Sequence, residues 1–143
     1  MKLKNKFFII FFLLIFTNTI ASENFFDNAK NLYEKKDYEK SKFLFQRNLV
    51  FNPKDSKSYL YLAKIYNIEE DKKKEEKNLE ATLLIEPNNE EAILMSMRIA
   101  LEKSNYSKVK KLSETFKKVC NKLCDENKSI LETLANIEPK NDS

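Results

Sequence analysis

Residues 25–53 read FFDNAKNLYEKKDYEKSKFLFQRNLVFNP. Phe25, Ala29, Leu32 and Tyr33 fall on one face of a 3.6-residue period, which is the pattern of a helix that buries a stripe. A turn follows at Lys36-Asp37-Tyr38, where the Asp37 side chain is suited to accept from the free N–H groups that open a second helix. That helix carries Phe43, Phe45 and Leu49 and is stopped by Pro53. The unit then recurs. Pro53 and Pro87 stand 34 residues apart, a further 34 reaches Asn121, and Asp37, Asp71 and Asn105 keep the same interval. Apolar stripes continue through Tyr59, Leu62, Ala63 and Tyr66, through Ile93, Met97, Ala100 and Leu101, and through Val109, Leu112, Phe116 and Val119. A final stripe is Ile130, Leu131, Leu134 and Ile137. Glycine is absent and prolines number three. Strands joined by tight hairpins lean on glycine, so the composition points to an all-α chain with brief connections.

A 34-residue helical hairpin with a large residue at Phe25, a small one at Ala29, Leu32, a small Ser41, the aromatic Phe45 and a closing Pro53 resembles the tetratricopeptide repeat (TPR). The second copy supplies Tyr59, Leu62, Ala63, Tyr66, Leu79 and Pro87. It departs from the family pattern with Lys72 at an aromatic position and Glu75 at a small buried one. The third copy holds Ile93, Ala100, Asn105, Tyr106, Val109 and Phe116, with Met97 where the family favours a small residue. The resemblance implies a right-handed superhelix of about three hairpins, at about 22–55, 56–89 and 90–121. Such repeats bury their faces only by stacking. A capping helix is therefore expected at about 125–137, before a disordered tail at 139–143.

The amino terminus reads differently. Lys2, Lys4 and Lys6 precede an unbroken apolar run from Phe7 to Phe16, and Thr19-Ile20-Ala21 places small residues at a suitable cut. This is the layout of a signal peptide over residues 1–21, with Ser22 opening the mature chain. An uncleaved membrane anchor is the alternative, but the run is short of the roughly 20 apolar residues a bilayer span needs, so cleavage is expected. The expected location is periplasmic or secreted. The whole chain has 26 basic and 22 acidic residues, and the leader holds three of the basic ones and none of the acidic. The mature chain is therefore nearly neutral, which gives no reason to expect a nucleic-acid partner, nor a membrane partner beyond the leader.

Catalytic chemistry has little to work with. Histidine is absent, which removes the commonest general base and the usual nucleophile pairs. Without glycine there is no phosphate-cradling loop, and two cysteines do not complete a zinc site. No cofactor or metal is expected, and an enzyme is a remote alternative. Cys120 and Cys124 sit at the break expected near Asn121. A turn there would bring them within disulfide reach, whereas an unbroken helix would hold them too far apart.

The function implied by the resemblance is protein binding. In the family, peptides lie on the concave surface formed by the first helices of successive repeats. Carried over, that geometry places Phe26, Leu60 and Leu94 in an apolar row and Lys30, Lys64 and Arg98 in a basic row, each stepping by 34. The expected partner is an extended peptide or protein with hydrophobic anchors and an acidic group or free carboxylate. A structural adaptor binding through the convex or end face is the alternative.

Overall fold

The computed structural model describes residues 24–137; the leader at 1–21 and the tail at 139–143 lie outside the described residues. Within them the chain is seven helices and no strand: α1 (Phe25–Glu34), α2 (Tyr38–Phe51), α3 (Ser56–Ile68), α4 (Lys72–Ile85), α5 (Glu90–Glu102), α6 (Tyr106–Val119) and α7 (Cys124–Ile137). Each helix packs on the next, and α5 also packs on α7. The arrangement is three antiparallel hairpins in series with α7 laid against the third.

The turns inside the hairpins repeat atom for atom. Asp37 N–H donates to the Leu32 carbonyl and Lys36 N–H to that of Tyr33; Asp71 and Glu70 do the same with Tyr66 and Asn67, and Asn105 and Ser104 with Ala100 and Leu101. This double closure satisfies carbonyls that a helix end otherwise leaves bare, and it requires a left-handed residue. Lys36, Glu70 and Ser104 fill that position, with φ of 62°, 60° and 54°. The next residue in each case, Asp37, Asp71 or Asn105, turns its side chain to the backbone N–H three residues on and so opens the following helix.

The breaks between hairpins use different chemistry. Proline disfavours the helical conformation in the residue before it. Asn52 and Glu86 accordingly leave the helical region, with φ of −127° and −131°. The third break has no proline. There α6 stops at Val119, Cys120 is extended, and α7 starts four residues later at Cys124, so the chain turns where Asn121 was expected to turn it.

Three apolar clusters lie along the array. The first sets Ala29, Phe45, Leu62, Ile65 and Tyr66 together, with Phe26, Tyr33 and Tyr61 against them. Phe45 is fully buried, its ring stacked on Tyr61 at 5.0 Å. The second joins Leu60, Ala63, Leu79, Ala92 and Ile99, and the third joins Ile93, Leu94, Met97, Val109 and Phe116 to Ile130 and Leu134 of α7. Ala29 leaves room for α2 to approach so closely that the buried Ser41 hydroxyl donates to the Ala29 carbonyl at 2.8 Å. One stripe residue departs from expectation: Phe43 is 60 % exposed, because the inward face of α2 is Ser41, Phe45 and Asn48.

Candidate functional site

A cleft of about 530 Å³ opens along α1, α3 and α5 and reaches the start of α7. Tyr33 comes from α1, Lys64 and Asn67 from α3, Glu75 from α4, Leu94 and Arg98 from α5, and Glu126 from α7. Helices 34 residues apart present equivalent faces, which is why single residues from successive repeats converge on one surface.

The charges of this surface are paired across repeats. Lys64 Nζ lies 2.7 Å from Glu91 and 4.8 Å from the centre of the Tyr61 ring. Arg98 meets Glu126 at 2.8 Å, and Lys72 meets Glu102 at 3.1 Å. Burial acts to lower the Lys72 ammonium, but hydrogen bonds and charge from Glu102 and Glu75 outweigh it, so its pKa is raised. The Tyr33 phenol is also raised, first by burial and then by Tyr38, Glu91 and Tyr61. Three basic side chains and four acidic ones line the cleft, so it is not the basic surface that the residue columns led us to expect.

The six expected groove residues divide. Lys64, Leu94 and Arg98 line the cleft. Lys30 is outside the lining, exposed on α1 and 3.7 Å from Glu34. Leu60 is 7 % exposed and packs with Ala63, Leu79 and Ala92, while Phe26 packs edge-on to Phe45 and Tyr61. Of the apolar row, Leu94 lines the cleft, whereas Phe26 and Leu60 lie outside its lining. The first helix of each hairpin touches both its own partner and the neighbouring hairpin, so a column chosen by interval alone lands on an internal contact. Asn67, Lys72, Glu75, Glu91, Glu102 and Glu126 were not singled out from sequence. Only Lys72 and Glu75 carried a signal, as charged residues at positions the repeat pattern fills with an aromatic and a small buried residue.

The third break is a second polar assembly. The Glu90 carboxylate accepts from the backbone N–H groups of Asn121, Lys122 and Leu123 at 3.0, 3.0 and 2.9 Å. The N–H groups of Leu123 and Lys122 chiefly hold its pKa below the ordinary carboxylate value, against a smaller opposing effect of burial. Beside it, Cys120 and Cys124 are brought to disulfide distance, with Cα atoms 5.4 Å apart. Among the described residues no cluster of ligand-type side chains is arranged for a metal, and no helix is long and apolar enough to cross a membrane.

Neither a family model nor a curated protein matches this sequence. Solved structures do. The Yersinia enterocolitica type III secretion chaperone SycD, in complex with a peptide of the translocator YopD, superposes with a TM-score of 0.74 at 18 % identity, covering 85 % of this chain and all of that one. The TPR domain of Sgt2 from Aspergillus fumigatus gives 0.67 at 16 % identity, over 87 % of this chain and 89 % of its own. The first TPR of Spaghetti (RPAP3), bound to the HSP90 peptide SRMEEVD, gives 0.64 at 12 %, over 76 % and 89 %. At these identities the likeness is one of fold, and the chain has the all-α, superhelical TPR-like fold.

Proposed function

We propose that this chain is a protein-interaction module of the periplasm or the secreted fraction, and that it holds an extended segment of a partner protein in the cleft along α1, α3 and α5. The observation that carries the reading is the cleft itself, about 530 Å³ and built from residues of successive repeats. Support comes from similar folds that hold peptides, SycD with a YopD peptide and Spaghetti with an HSP90 peptide. The basic leader and apolar run at residues 2–16 support export. Acidic groups of the partner would bind Lys64 and Arg98 by taking the places of Glu91 and Glu126. Such an exchange conserves the charge pairing and adds backbone and apolar contacts, which makes it selective as well as salt-sensitive.

The test is retention of partner from the exported fraction by the protein and by its Lys64→Ala/Arg98→Ala variant, with Lys30→Ala as a control outside the cleft. The double variant should lose retention, salt should weaken it, and Lys30→Ala should leave it unchanged. Undiminished retention by the folded double variant would favour the adaptor reading. One observation speaks for that second reading: Val50 and Leu84, 34 residues apart on α2 and α4, are 76 % and 85 % exposed and take no part in the cleft.

A further inference from the structure

Glu75 sits at the floor of the cleft with 1 % of its surface exposed. A carboxylate offers about four lone-pair sites. Here one oxygen, Oε1, accepts from the Asn67 amide at 2.9 Å, while Oε2 is buried and receives no well-formed hydrogen bond among the described residues. The group facing Oε2 is the Lys72 ammonium at 3.3 Å, longer than the roughly 2.7–2.9 Å of a strong charge-assisted hydrogen bond. Lys72 itself is divided between Glu75 and Glu102, is 39 % exposed, and opens α4, where the helix dipole disfavours a cation. A buried, under-coordinated carboxylate is thus covered by a half-exposed, shared cation at an unfavourable end of its helix.

We propose that Glu75 is the receptor for a basic side chain, arginine or lysine, of the peptide bound in the cleft, and that Lys72 holds the place until the peptide arrives. This rests on the cleft being the binding surface. The incoming cation takes Oε2, Lys72 swings to Glu102 and solvent, and no charge is left buried alone. A guanidinium suits the position best, because it donates two parallel N–H groups to a carboxylate. The excess of acidic over basic side chains in the lining favours a partner segment with at least one positive group.

The experiment is a titration of the purified protein with two blocked peptides, acetyl-Leu-Arg-Leu-amide and acetyl-Leu-Glu-Leu-amide, followed by NMR at the Asn67 side-chain amide and by Kd. The arginine peptide should shift the Asn67 amide. Glu75→Gln, which keeps an acceptor for Asn67, should raise its Kd at least about tenfold, as expected on removing one partner of a buried charge pair. Lys72→Ala should lower it about threefold or more, because a competing group is gone. Circular dichroism checks that each variant is folded, and the Lys72 variant keeps the test decisive if Glu75→Gln loses structure. An arginine peptide that leaves Asn67 unmoved, or binds Glu75→Gln equally well, overturns the proposal. If the glutamate peptide alone engages the cleft, the basic-side-chain receptor is rejected and the groove reading stands; if neither peptide does, both are rejected.

Discussion

Lys36, Glu70 and Ser104 adopt a left-handed conformation that costs a residue with a Cβ about 1–2 kcal/mol. Glycine would adopt it freely but carries more conformational entropy in the unfolded chain, so the net gain is smaller. Replacing each of the three by glycine should stabilise the protein by about 0.5–1 kcal/mol. The sites lie in separate turns, so their effects should add. Thermal unfolding of the single and triple variants checks this, with Lys36→Ala as a control that keeps the Cβ and should gain little. A triple variant no more stable than the parent would show that the turn strain is relieved elsewhere. The turns themselves were readable from Asp37, Asp71 and Asn105, whose capping role needs only a short acceptor before a helix. The left-handed residue before each was not, because glycine is the usual marker and this chain has none.

At the scale of the helix, α7 is attached by polar groups as well as by Ile130 and Leu134. Glu90, in the first turn of α5, receives the three N–H groups that lead into α7, and so does for the third break what Pro53 and Pro87 do for the others. Its pKa is lower in the folded protein than the roughly 4.3 of a free glutamate. The stabilisation is therefore full at neutral pH and is lost as pH falls through the folded value. Glu90→Gln should be less stable than the parent at pH 7, and the difference should close as the pH drops below about 4. Hydrogen exchange at Leu123 to Glu126 would report it locally, and a gap that persists in acid would place the effect elsewhere. Thiol titration of the unreduced, unfolded protein should find almost no free thiol at Cys120 and Cys124. The helices and this break were legible because their signals are local. Glu75 and Glu90 were not, since an acid in a polar run looks solvated until the fold brings Asn67 of the preceding helix to Glu75, and the N–H groups of 121–123, more than 30 residues away, to Glu90.

Across the whole molecule the three apolar clusters are arranged in series, so each hairpin is stabilised by its neighbours and not by one common core. The cleft crosses those boundaries, with Lys64–Glu91 and Arg98–Glu126 each joining two successive units. The cover that α7 lays over Ile93, Val109 and Phe116 then has a further consequence. A hairpin whose stacking face is bare is a monomer unit for head-to-tail polymerisation, because a surface that accepts the next hairpin of its own chain is open to one from another molecule, and such contacts need not close. A chain stopped after Leu123 should form oligomers that lengthen with concentration, visible by sedimentation, where the parent at the same concentration sediments without that growth. In polymer terms α7 is a chain terminator.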